Sequence, residues 1–86
     1  MAEHNFVRNY KGPIGMGFDR KTDESTMICY CQKFSDDSVM QILSKKMSDD
    51  EITILTDNIM DLIKKYFDHN EYHKFFLEDK PGLTLN

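Results

Sequence analysis

Two pairs of residues in this sequence have the types and the spacing of metal ligands. One residue separates Cys29 from Cys31, and three residues separate His69 from His73. Residues two apart share one side of a β-strand, and residues four apart share one face of a helix, so each pair can converge on such an element. Two thiolates and two imidazoles form a ligand set for tetrahedral zinc. A zinc site with Cys29, Cys31, His69 and His73 as ligands is therefore one hypothesis.

A second interpretation treats the same cysteines as part of the core. A Cys-x-Cys pair within a regular strand lacks the turn N–H groups that stabilise thiolates in a zinc knuckle. Free cysteine is among the most often buried residue types, and Met27 is a neighbour on the same strand side. A disulfide is disfavoured because same-side strand neighbours are poorly placed for it. We therefore favour core cysteines, surface histidines and no cofactor, with zinc binding as the alternative.

Catalytic motifs are missing from the sequence. Neither cysteine lies in a nucleophile elbow or a comparable flanking signature. The glycine-rich residues 12–17 match neither a dinucleotide-binding fingerprint nor a P-loop. The acidic pairs at residues 36–37 and 49–50 follow serines, where they suit the first turn of a helix. The chain is therefore predicted not to be an enzyme.

Among the elements that must position these residues, one is clear from the sequence: a helix over residues 49–67. Ser48 and Glu51 have capping-box spacing, and Met47 with Ile52 forms a hydrophobic staple. Apolar residues then recur at alternating spacings of three and four, which favours burial of this face in the core: Ile52, Leu55, Ile59, Leu62 and Tyr66. Further apolar residues widen the helix beyond one buried face and predict a partner interface: Ile54, Met60 and Phe67.

The first third of the chain has alternating patterns that favour strands. We expect strands over residues 5–10, 14–18 and 26–32, the last two closing a β-hairpin. Helices are expected over residues 36–45, 49–67 and 71–78. Strands followed by helices indicate an α+β fold, in which a small antiparallel β-meander of two or three strands packs against a helical layer. Residues 1–80 are expected to form one globular domain, and residues 81–86 a mobile tail.

Composition restricts the class of protein and of partner. The 86 residues are 40% hydrophobic and 30% charged, which is typical of a globular domain. Residues 35–86 hold six lysines against eleven acids, so nucleic acid is not an expected partner. The longest run of hydrophobic residues has five members, at residues 27–31, so no membrane span is expected. Two cysteines without a secretion signal indicate the cytoplasm.

These observations predict a small cytoplasmic protein without enzymatic activity. Its function is expected to be protein interaction through the helical layer, with a protein partner or a second copy in a homodimer. The alternative is a zinc-binding domain built on the Cys-x-Cys and His-x₃-His pairs.

Overall fold

The computed structural model describes residues 4–77, and within that range all regular structure is helical. Helix α1 is short, α2 and α4 are the longest helices, and α5 continues directly into a π-helical turn. The bounds are Asn5–Asn9 for α1, Arg20–Phe34 for α2, Asp37–Lys46 for α3, Asp49–Tyr66 for α4, His69–Glu71 for α5 and Tyr72–Leu77 for the π-helical turn.

The α+β prediction is wrong, because the described part of the chain contains no strand. The expected strand at residues 5–10 is α1, and the one at residues 26–32 lies inside α2. Residues 14–18 have no regular secondary structure. The β-meander and the β-hairpin are therefore both absent from residues 4–77.

Helix α2 forms because its first turn is capped and its buried face follows a helical period. The Asp19 carboxylate accepts hydrogen bonds from Thr22 N at 2.8 Å and from Thr22 Oγ1 at 3.1 Å. Arg20 Nε donates to Glu24 Oε2 at 2.7 Å, one turn further on. The buried residues of α2 are Thr22, Thr26 and Cys29, at successive spacings of four and three. Threonine adds little to a hydropathy pattern, so the alternation over residues 27–31 resembled a strand.

The chain divides into two compact units, Met1–Lys46 and Met47–Asn86. In the first unit, α1 and α3 both pack against α2. Val7 N, one of the unpaired amides in the first turn of α1, donates to Gln32 Oε1 of α2 at 2.8 Å. Gly17, at a φ of +88°, donates through its backbone N–H to Asp23 Oδ1 at 2.9 Å.

The segment between α1 and α2 is held by a side chain where strand pairing had been expected. The Thr26 hydroxyl accepts a hydrogen bond from Gly15 N and donates one to Gly15 O, both at 2.9 Å. One hydroxyl thus satisfies both backbone groups of Gly15, which lies next to α2 without a partner strand.

The second unit contains α4, α5 and the π-helical turn. The predicted helix at residues 49–67 is confirmed as α4, and its predicted capping box is present: Glu51 N donates to Ser48 Oγ at 3.1 Å, and Ser48 N donates to Glu51 Oε1 at 2.9 Å. Asp68 and Glu71 form a second capping box at the start of α5. The helix expected at residues 71–78 thus begins earlier, at His69, and the described part of it ends at Leu77.

The one-domain prediction for residues 1–80 stays a prediction beside this division into units. The expected tail at residues 81–86 lies outside the described residues. Across residues 4–77, no helix combines the length and the apolar character needed to cross a membrane.

Candidate interaction surface

One apolar face of α4 is largely exposed. We call it the α4 seam: Ile52, Leu55, Ile59, Leu62 and Tyr66. Exposed fractions are 42% for Ile52 and Ile59, 58% for Leu62 and 67% for Tyr66. Leu55 is half-buried, and no residue of α4 is buried. The seam therefore presents large apolar side chains to water, although its pattern had favoured burial in the core.

The spacing of the α4 seam suits packing against a second helix. Its residues alternate at three and four positions, which is the a/d pattern of a coiled coil. Isoleucine occupies two a positions and leucine both d positions. Such a stripe presents knobs and holes to one facing helix, and α4, at 18 residues, is about 27 Å long.

The two ends of α4 carry opposite charges, and Asp57 and Asp61 lie between them. Asp49, Asp50 and Glu51 lie in the first turn, and Lys64 and Lys65 lie in the last turn. Each group complements the helix dipole at its own end. The helix therefore has an acidic end and a basic end joined by the apolar seam.

The predicted interface residues lie outside the α4 seam. Ile54 is 60% exposed, and it is turned by about 200° from Ile52, so it lies on another side of the helix. Met60 and Phe67 are half-buried. Their assignment to a partner interface stays a prediction, with Ile54 the most accessible of the three.

Met60 and Phe67 line a groove beside the seam, within the second unit. Ile63 and Tyr72 complete most of its apolar wall, and its volume is about 310 Å³. The Phe67 and Phe75 rings meet edge to face with centroids 6.4 Å apart. This local packing explains why Met60 and Phe67 are less exposed than the neighbouring residues of the seam.

The two cysteines lie on a helix, so the strand on which their convergence depended is absent. Residues two apart on a helix are turned by about 200°, so the thiols leave different sides of α2. Accordingly, Cys29 is buried and Cys31 is exposed, and both are free thiols. Cys31 Sγ lies 3.8 Å from Met27 Sδ, one turn earlier.

The two histidines do lie together, as their spacing predicted. The His69 and His73 rings have centroids 4.3 Å apart and meet edge to face. Among the residues that the structure describes, however, no group of three or more His, Cys, Asp or Glu side chains could hold a metal ion. Zinc binding by Cys29, Cys31, His69 and His73 stays a prediction.

Sequence reasoning found the α4 seam but assigned it to the core. The signal that marks it as a surface was already in the sequence, because heptad spacing was combined with opposite charges at the two helix ends.

No protein-family model, no curated protein and no solved structure matches this chain.

Proposed function

We propose that this protein is a non-enzymatic interaction module of the cytoplasm, which binds a protein partner by packing the α4 seam against an amphipathic helix. The observation that carries the proposal is the exposure of the seam, where four of five large apolar side chains are 42–67% accessible. A contiguous apolar patch of this kind on a soluble domain is typical of an interaction site.

Burial of the seam by a partner helix is favourable on physical grounds. Each square ångström of apolar surface removed from water contributes about 25 cal/mol, and the side chains are already ordered on a capped helix. The free thiols Cys29 and Cys31 support a reducing compartment for this interaction.

The substitution Ile59→Asp distinguishes a docking surface from a core. Because Ile59 is 42% exposed, we expect the free energy of unfolding of the dilute protein to change by no more than about 0.5 kcal/mol. Chemical denaturation at low micromolar concentration measures it. The matched control is Cys29→Asp, which places the same carboxylate at a position that is 4% exposed and should cost more than about 2 kcal/mol.

A loss of stability in Ile59→Asp comparable with that of Cys29→Asp would contradict the proposal. It would mean that the α4 seam is part of the folded core in solution, with no surface left for a partner helix.

A further inference from the structure

We propose that the partner of the α4 seam is the α4 seam of a second copy of this chain, with the two helices antiparallel. This inference rests on the proposed function, because it takes the seam to be a helix-docking surface. It adds the identity of the partner, the orientation of the helices and their register.

The charges of α4 choose the antiparallel orientation. In a parallel pair, the acidic first turns would lie side by side, and so would the last turns that contain Lys64 and Lys65. In an antiparallel pair, each acidic end lies beside a basic end, and the two helix dipoles also oppose each other. The charge pattern therefore attracts in one orientation and repels in the other.

Two antiparallel registers give four apolar layers each. One sets Leu55 level with Tyr66 and Ile59 level with Leu62, but it places Lys65 opposite Asn58. The register that we propose pairs opposite charges as well. Ile52 of one copy lies level with Leu62 of the second copy, and Leu55 lies level with Ile59. With the symmetric contacts, this gives four layers that each join an a position to a d position. Isoleucine at a and leucine at d is the combination that favours two helices.

The same register pairs the charged residues that flank the seam. Glu51, Asn58 and Lys65 occupy successive g positions, and g positions face each other in antiparallel helices. Glu51 therefore faces Lys65 of the second copy, twice by symmetry, and Asn58 faces itself at the two-fold axis. Glu51 uses Oε1 in its capping box, which leaves Oε2 for the lysine.

A parallel pair offers none of these charge pairs. There, g positions face e positions of the other helix, so Glu51 would face Thr56, and the e position opposite Lys65 would fall beyond the end of α4. The antiparallel register is thus the arrangement that joins apolar layers to opposite charges.

Covalent trapping tests the orientation on the full chain. Asn58→Cys in a Cys31→Ser background should form an intermolecular disulfide on oxidation, because the new thiols meet at the two-fold axis. Asp57→Cys in the same background is the matched control, since it adds one thiol at the adjacent position, which points away from the seam. We expect a disulfide-linked dimer on a non-reducing gel from the first variant and not from the second.

A charge exchange tests the pairing without a covalent bond. Glu51→Lys and Lys65→Glu each place like charges opposite one another in the homodimer, and should each raise its dissociation constant by about tenfold. Mixing the two variants restores opposite charges at both positions of a heterodimer. Sedimentation velocity should then show recovery of the dimer. A restored capping box cannot explain this recovery, because residue 51 is still lysine in the Glu51→Lys chain.

Three outcomes overturn the inference. Wild-type protein that is monomeric at about 1 mM excludes self-pairing. Equal crosslinking of the two cysteine variants, or no recovery on mixing the charge variants, excludes this orientation and register. If Ile59→Asp remains as stable as wild type in any of these cases, the seam still serves a different protein; if Ile59→Asp unfolds the dilute chain, the proposed function fails as well.

Discussion

The Thr26 hydroxyl connects α2 to the segment that precedes it. Thr26 is fully buried, and its hydroxyl bonds both backbone groups of Gly15. A buried backbone group that loses its partner costs more than the hydrogen bond itself contributed, because water cannot fully replace the partner. The position of Gly15 beside α2 therefore depends strongly on one side chain.

Replacing Thr26 with valine should lower the free energy of unfolding by about 2 kcal/mol, because the shape is kept and both hydrogen bonds are lost. Thr26→Ser keeps the hydroxyl and should cost about 1 kcal/mol for the missing methyl group. Hydrogen exchange separates the two effects: the Gly15 amide should stay protected in Thr26→Ser and exchange faster in Thr26→Val. Equal protection in both variants would contradict this role of the hydroxyl.

Asp19 gives the first unit a dependence on pH. Hydrogen bonds from the backbone N–H and the side chain of Thr22 hold the pKa of the Asp19 carboxyl below its ordinary value of 3.8. Because the pKa is lowered in the folded state, the charged carboxylate stabilises the protein above pH 3.8, and this contribution is lost as the pH falls through the folded pKa.

The variant Asp19→Asn should therefore be less stable than wild type at neutral pH, and the difference should shrink as the pH falls below about 4. Asparagine can still cap the helix through its carbonyl oxygen but does not titrate. Thermal unfolding of both proteins from pH 7 to pH 2.5 measures the difference. A constant difference across that range would show that the charge of Asp19 has no such role.

At the scale of elements, α4 depends on the capping box at its start. Ser48→Ala removes the acceptor for the Glu51 amide and should cost about 1 kcal/mol. Ser44→Ala is a matched control, because Ser44 lies inside α3 and is exposed, and alanine favours a helix interior. Chemical denaturation should show a loss for Ser48→Ala and no loss for Ser44→Ala. Equal effects would mean that the cap does not determine where α4 begins.

The sequence predicted α4 well because its signals are local. The cap, the charged ends and the apolar period all lie within residues 48–67, and all of them indicate a helix. Helix α2 has an equally clear cap at Asp19, but its buried residues Thr22, Thr26 and Cys29 carry no apolar period. Its strand-like alternation therefore outweighed a cap that was present in the sequence.

Part of the candidate site could also be predicted from local signals in the sequence. Spacing alone placed the seam residues on one face of α4 and brought His69 close to His73. Whether that face is exposed depends on what packs against it, which is a tertiary property that local spacing does not encode. The prediction that the Cys29 and Cys31 thiols converge was wrong, because side chains two residues apart share one face of a strand but leave different sides of a helix.

At the scale of the whole molecule, the described residues bury little. Across residues 4–77, the buried residues are Thr22, Thr26 and Cys29. A small core gives a marginal stability, so any surface covered by association adds a large share to the total. Assembly and folding should therefore be linked in this protein.

If the proposed homodimer forms only from folded chains, the melting temperature should rise with protein concentration. Ile59→Asp should remove this dependence and leave the melting temperature of the most dilute wild-type sample unchanged. Differential scanning calorimetry over a hundredfold range of concentration measures both. A wild-type melting temperature independent of concentration would contradict the linkage.

Because Cys29 is buried and Cys31 is exposed, the reactivity of these two native thiols can report local unfolding of the first unit. A thiol reagent should modify Cys31 rapidly. It should modify Cys29 only when α2 separates from the helices that pack against it. The slow phase of modification would then record how often the first unit opens, through a native atom and without an added label. Since α4 carries no cysteine, the reaction would follow the first unit alone. Its rate at several protein concentrations would show whether assembly at the seam slows the opening of that unit.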